Sequence, residues 1–92
     1  GEPNIFVPNA FTPNNDGNND VLKVRGRWIS KLQFVVYNRW GQEMFTTTDL
    51  NNGWNGVFKG NEVAPDVYNY FLQVTCLDNK IFTKRGNTSL IK

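Results

Sequence analysis

The segment VYNYFLQVTCL, residues 67–77, decides the fold class of this chain. Its apolar side chains recur at every second position, which is the period of a half-buried β-strand and not that of a helix. One face carries Tyr68, Tyr70, Leu72, Val74 and Cys76, and the other carries polar residues such as Asn69, Gln73 and Thr75. This is the strongest strand signal in the sequence, so we expect the segment to lie in the centre of a sheet with Cys76 buried.

Shorter strands separated by turns are predicted on both sides of this segment. Downstream, Asp78 and Asn79 predict a turn into a last strand over about residues 80–91, with a kink or bulge at Gly86. Upstream, strands are predicted over residues 5–8, 21–25, 31–38 and 42–47, and the turn Asn38-Arg39-Trp40-Gly41 makes the last two a hairpin. The pattern predicts an all-β, immunoglobulin-like antiparallel β-sandwich of about seven strands, with residues 1–92 forming a single domain.

Composition excludes most enzyme classes. The 92 residues include no His, one Cys and only two Ser, which removes His-based acid and base catalysis, Ser-His and Cys-His nucleophiles and His-containing zinc sites. The net charge of +2 is spread along the chain, whereas nucleic-acid binding needs a basic stripe. No apolar run is long enough to span a bilayer. We therefore expect a monomer that is not an enzyme, does not cross the membrane and binds no nucleic acid.

The loop Asn14-Asn15-Asp16-Gly17-Asn18-Asn19-Asp20 is the candidate metal site. Oxygen-bearing side chains at every second position, Asn14, Asp16, Asn18 and Asp20, suit a calcium ion. An EF-hand register would end on Lys23, however, where a bidentate Glu belongs, and only two carboxylates remain. The alternative is that Asn and Asp side chains bond to their own backbone in Asx-turns and hold the loop without metal.

Two Arg-Trp pairs are candidate partner-binding residues: Arg27 with Trp28, and Arg39 with Trp40. Together with Trp54 they suggest an aromatic platform for a sugar ring or a protein surface. The alternative is that each Trp packs over a turn and closes one end of the sandwich. For Trp54, which lies between two Asn-Gly turns, this packing interpretation is the favoured one.

Three strings resemble one known family. IFVPNAFTPNNDGNNDVLKV (residues 5–24), VYNRWGQEMF (36–45) and GWNGVFKGNEVAPDVYNYFLQV (53–74) stand in the order and spacing seen in the gliding motility-associated C-terminal domain of Bacteroidetes surface proteins. The resemblance implies a type B sorting domain that directs a large, adhesin-like cargo through the type IX secretion system. It also implies that this chain is the tail of a longer protein.

The same resemblance implies the partners and the location. The partners would be the type IX secretion machinery and a cognate SprF/PorP-like outer-membrane partner protein, and the domain would pass through the periplasm and outer membrane to the cell surface or the medium. No cofactor is implied, with calcium left open. The fold alone also fits a carbohydrate-binding module or a passive spacer domain of an adhesin, since function is not set by fold.

Overall fold

The computed structural model describes residues 5–14 and 20–91, and this part of the chain contains nine β-strands and no helix. The strands are β1 (Ile5–Phe6), β2 (Ala10–Phe11), β3 (Arg25–Gly26), β4 (Ile29–Tyr37), β5 (Glu43–Thr47), β6 (Val57–Phe58), β7 (Asn61–Glu62), β8 (Asp66–Cys76) and β9 (Ile81–Leu90). The predicted all-β class is confirmed, and the count exceeds seven because several strands are only two residues long. The strand predicted over residues 21–25 is reduced to an isolated bridge between Leu22 and Trp54, followed by β3.

The main layer is a five-stranded sheet with the order β2-β9-β8-β4-β5. The segment that decided the fold class, β8, lies at its centre as predicted, and its inward face is buried at Tyr68, Tyr70, Leu72, Val74 and Cys76. The pairs among β9, β8, β4 and β5 are antiparallel, but β2 pairs with β9 in parallel. That parallel pair was not predicted, because Ala10 and Phe11 stand at the start of a stretch whose composition is typical of turns.

The opposing layer consists of two small sheets, β1-β3 and β6-β7, together with the bridge that joins Leu22 to Trp54. Its buried side chains, including Leu22, Val24 and Trp54, form one cluster with the inward face of the main sheet. The molecule is therefore a β-sandwich in which the second layer is built largely from turns and two-residue strands.

Two hairpins of the same kind connect the long strands. In each, a backbone hydrogen bond, from Asn38 N–H to Gln42 O or from Cys76 N–H to Lys80 O, encloses three residues. The last of the three is in the left-handed region: Gly41 (φ 82°) between β4 and β5 and Asn79 (φ 69°) between β8 and β9. The N–H of Gly41 donates to Asn38 O at 3.0 Å, and the N–H of Asn79 donates to Cys76 O at 2.9 Å. The turn predicted at residues 38–41, with Gly at the position of positive φ, is confirmed.

The predicted bulge at Gly86 is wrong. Strands β8 and β9 keep an uninterrupted register from Asp66 opposite Leu90 to Thr75 opposite Ile81, with Gly86 directly across from Tyr70. A Cβ at position 86 would lie 2.6 Å from the Tyr70 hydroxyl oxygen, so the glycine makes room for the tyrosine ring. The irregularities lie instead in β4, between Ile29 and Lys31 and between Val36 and Tyr37.

Tyr68 ties the start of β8 to the preceding chain. Its hydroxyl donates a 2.7 Å hydrogen bond to the backbone oxygen of Ala64, four residues upstream. Burial raises the pKa of this hydroxyl, so it stays protonated and remains a donor over the whole neutral range. A tyrosine that bonds back to the chain in this way is a known feature of immunoglobulin-like sandwiches.

Candidate functional site

The Arg39-Trp40 pair lies at the tip of the β4-β5 hairpin. Trp40 is 84% exposed, the most exposed large apolar side chain in the described part of the chain. The Asn38 side chain fixes the loop under it, since Asn38 Oδ1 accepts hydrogen bonds from the N–H groups of Trp40 and Gln42, both at 2.9 Å. Arg39 forms an ion pair with Asp66, with 2.6 Å between Nη2 and Oδ1. The positive charge of the Arg39-Trp40 pair is therefore already balanced by a carboxylate of the domain itself.

The Arg39 hydrogen bond lowers the pKa of the Asp66 carboxyl, and the N–H of Val67, 2.8 Å from Oδ1, lowers it further. A carboxyl whose pKa is lower in the folded than in the unfolded chain stabilises the fold above its unfolded-state pKa. That contribution is lost as the pH falls through the folded-state pKa. Since the pair is exposed, we expect its effect on stability to be small.

We expect an NMR titration of the Asp66 side chain to give a midpoint below the usual value of about 3.9. Arg39→Ala should move the midpoint upward because it removes the largest cause of the shift. Trp40→Ala is the matched control and should leave the midpoint where it is. If Asp66 in the parent protein titrates at the ordinary value, then the ion pair with Arg39 does not form.

The Arg27-Trp28 pair lies at the opposite end of the main sheet, just before β4 begins. Trp28 is 62% exposed. Because β4 separates the two pairs and a strand rises about 3.3 Å per residue, Trp28 and Trp40 lie roughly 30 Å apart. The third tryptophan, Trp54, is only 2% exposed. The three rings do not form one platform, and the two Arg-Trp pairs are separate surfaces.

Trp54 packs over a turn, as predicted. Its Nε1–H donates a 3.0 Å hydrogen bond to Val57 O, which spans the Asn55-Gly56 step. The ring contacts Phe11 and Tyr68, with centroid separations of 5.7 and 5.1 Å. This residue belongs to the core and is not displayed to a partner.

Three further exposed apolar residues were not singled out from the sequence: Phe6 (56% exposed), Leu77 (62%) and Ile81 (62%). A signal for two of them was present. In the neighbouring pairs Ile5-Phe6 and Ile81-Phe82, strand alternation allows only one member to face the core. The structure turns Ile5 and Phe82 toward the core cluster and leaves Phe6 and Ile81 outside.

A depression of about 540 Å³ is lined by Tyr37, Asn69, Tyr70, Phe71, Arg85 and Gly86. The Arg85 guanidinium carbon lies 5.1 Å from the centroid of the Phe71 ring, a cation-π distance. The guanidinium therefore packs on one of the aromatic side chains that line the depression.

The candidate metal loop is only partly described, since Asp16 and Asn18 lie outside the described residues. Its two ends are joined by a hydrogen bond in which the N–H of Asn14 donates to Asp20 Oδ1 at 3.3 Å. This bond spans six residues, so it closes the loop but is not itself an Asx-turn, in which the side chain bonds to backbone two residues on. Calcium binding stays a prediction to be tested.

We expect the melting temperature to be the same in millimolar calcium and in chelator, as the Asx-turn interpretation requires. If the loop did bind calcium, the ion at about 100 times its dissociation constant would stabilise the fold by about 2.7 kcal/mol. Asp16→Ala and Asp20→Ala distinguish the two cases. Loss of a calcium-dependent rise in melting temperature would establish ligation, whereas an equal loss of stability with calcium and with chelator would establish the turn.

Two potential nucleophiles among the described residues are bonded to backbone or buried. The Ser30 hydroxyl donates to the backbone oxygens of Thr75 and Cys76, at 3.1 and 3.3 Å, and the Cys76 side chain is buried. Within residues 5–14 and 20–91, no three acidic, Cys or His side chains are grouped closely enough to hold a metal ion. The same ranges contain no helix with the length and apolar character needed to cross a membrane.

Comparison with known proteins gives a family match. The chain matches the family described as the CHU_C type IX secretion signal domain over residues 5–89. No curated protein and no solved structure shows significant similarity to it. The family match includes both long hairpins, the buried Trp54 and the two exposed Arg-Trp pairs. The chain therefore belongs to the CHU_C type IX secretion signal domain family.

Proposed function

We propose that a SprF/PorP-like outer-membrane partner protein recognises the folded surface of this domain. This recognition directs an attached adhesin-like cargo to export. The domain is a type IX secretion signal, and proteins that carry it are exported to the cell surface or released. The family match over residues 5–89 is the observation that carries the proposal. It extends through the whole sandwich, which supports recognition of a folded surface in preference to a short linear peptide.

The domain acts by binding and not by catalysis in this proposal. The chain has no His, its Cys is buried, and the Ser30 hydroxyl is engaged with the backbone. The exposed features are instead rigid and aromatic, namely the two Arg-Trp pairs at opposite ends of β4. Exposed aromatic side chains and Arg are the residue types that dominate protein interfaces. The geometry thus supplies surfaces for a partner.

The test is a fusion of residues 1–92 to the C-terminus of a fluorescent reporter behind a signal peptide for the inner membrane. In a bacterium with an intact type IX system and the cognate partner, we expect reporter on the cell surface or in the medium. Deletion of the partner gene or of the secretion system should leave the reporter in the periplasm. The matched control is the reporter with the signal peptide alone, which should stay in the periplasm in every strain.

Reporter from the full fusion that remains in the periplasm of the intact strain would contradict a sorting role for this chain. Export that persists without the partner gene would contradict recognition by this partner protein but not the sorting role of the domain.

A further inference from the structure

One end of the main sheet gathers exposed apolar side chains. We define the Trp28 end as the surface formed by Phe6, Arg25, Arg27, Trp28 and Leu77. Of the eight large apolar residues that are exposed in the described part of the chain, three belong to it: Phe6, Trp28 and Leu77. Strand β3 places Arg25 opposite Phe6 and leads directly into Trp28, and the backbone N–H of Leu77 donates a 2.9 Å hydrogen bond to Trp28 O.

The backbone of Trp28 adopts a conformation that is strained for a residue other than glycine. Its φ of 65° lies in the left-handed region, which disfavours a residue with a bulky side chain and which glycine adopts without steric cost. The ring is 62% exposed and so gains little packing to offset the strain. Non-glycine residues held in this region cluster at functional sites. An exposed indole on a strained backbone is therefore the feature of this end that suits display to a partner.

The scaffold beneath Trp28 is well braced. Strand β4 bulges between Ile29 and Lys31, and the Ser30 hydroxyl bonds to Thr75 O and Cys76 O of the neighbouring strand. The adjacent β8-β9 turn is closed by Asn79 in the left-handed region that Asn tolerates. Bulges of this kind redirect side chains beside functional sites. The surface is therefore organised before any partner arrives, which lowers the entropy cost of binding.

The charge at this end is mostly positive. Arg25 lies opposite Phe6 and Arg27 precedes Trp28, while Asp78 is the acidic residue of the adjacent β8-β9 turn. Among the described residues neither Arg25 nor Arg27 is in an ion pair, whereas Arg39 at the other end is bonded to Asp66. A depression of about 200 Å³ lies between Phe6, Arg25, Gly26 and Arg27. An apolar floor beside two guanidinium groups suits a carboxylate carried on an apolar segment.

We propose that the Trp28 end is the docking surface for an acidic, partly apolar loop of the export machinery's outer-membrane partner. The proposal rests on the proposed function and names the surface and the chemistry of the partner. Charge complementarity selects the acidic partner, and the exposed indole with Phe6 and Leu77 forms the apolar centre of the contact. Trp40, at the other end, is not part of this surface.

The first test compares variants of the reporter fusion. Trp28→Gly removes the ring and relieves the strain, so we expect a melting temperature equal to or above that of the parent, yet about a tenfold drop in exported reporter, as for loss of a central aromatic contact. The double variant Arg25→Glu, Arg27→Glu should give a similar drop. Ile91→Ala, at a side chain 51% exposed and outside both Arg-Trp pairs, controls for loss of an exposed apolar side chain, and Lys84→Glu with Arg85→Glu controls for the same change in net charge elsewhere.

A folded Trp28→Gly domain that is exported like the parent would overturn the proposal, as would an equal loss in both charge-reversal pairs, which would point to net charge alone. Failure of the parent fusion to be exported would instead contradict the sorting function itself. The two failures are therefore distinguishable.

A binding measurement identifies the class of partner. The purified domain is titrated against the purified cognate outer-membrane protein in detergent and, separately, against phosphatidylglycerol vesicles. We expect Trp28→Gly to weaken binding to the protein about tenfold or more. Binding to vesicles that depends on Trp28, with protein binding unchanged, would assign the surface to the membrane and overturn the proposal.

Discussion

Removal of residues from Ile81 onward is expected to abolish cooperative unfolding of the domain. The deletion removes β9, which lies between β2 and β8 and pairs with β8 through ten consecutive positions. It also removes the buried Thr88 and Leu90 and the partly buried Phe82. Loss of Leu90 alone should cost about 2–5 kcal/mol. Loss of the whole strand should therefore cost more than the roughly 5 kcal/mol of unfolding free energy at the low end of domain stability.

The deletion has a second consequence for the sheet. Strand β2 is attached to the main sheet through β9, with Ala10 opposite Ser89 and Phe11 opposite Leu90. Without β9, the central strand β8 becomes an edge and its backbone donors and acceptors lose their partners. Phe11, which is 1% exposed and packs on Trp54, loses the strand that holds it. We expect the truncated chain to aggregate and the reporter fusion to remain unexported.

Circular dichroism during thermal melting is the measurement, with two neighbouring point variants for calibration. Leu90→Ala, at a side chain 2% exposed, should lower the melting temperature clearly, whereas Ile91→Ala, at one 51% exposed, should leave it near the parent value. A truncated chain that melts cooperatively near the parent temperature would show that β9 is dispensable for the fold.

Local periodicity predicted the long strands and their faces because each depends on neighbouring residues only. The alternation in β8 predicted all five of its inward residues, and the residue types at 38–41 predicted the turn that they form. The predictions that failed concern features that depend on residues far apart in the chain. The parallel pairing of Ala10 with Ser89 leaves no local trace, and Gly86 looked like a bulge because the Tyr70 ring that fills its space lies sixteen positions away.

The candidate site shows the same division. Arg27-Trp28 and Arg39-Trp40 were named from their residue types as candidate partner-binding pairs, and both tryptophans are exposed, while their role in binding stays a prediction. Their separation was within reach of the sequence, since a nine-residue strand between them spans roughly 30 Å. The sequence did not predict the ion pair of Arg39 with Asp66 or the strained backbone of Trp28. Both depend on how the hairpins meet and on the register of β4 against β8.

Trp54→Ala is expected to be the most destabilising single substitution in the second layer, at about 3–5 kcal/mol. The side chain is 2% exposed, its ring contacts Phe11 and Tyr68, and its backbone forms the bridge to Leu22. Short strands and turns cannot collapse into a cavity of that size without losing register. The loss is comparable to the roughly 5 kcal/mol by which a marginal domain is stable.

Trp54→Phe separates packing from hydrogen bonding at the same position. Phenylalanine keeps an aromatic ring but removes the donor to Val57 O, so we expect an intermediate loss of about 1–3 kcal/mol. Trp40→Ala, at a ring 84% exposed, is the matched control and should change the stability by less than about 0.5 kcal/mol. Urea denaturation should be followed by circular dichroism, because each of the Ala and Phe variants removes a fluorophore. If Trp54→Ala unfolds at the same urea concentration as Trp40→Ala, then the second layer does not depend on Trp54, and the sandwich is held by the five-stranded sheet alone.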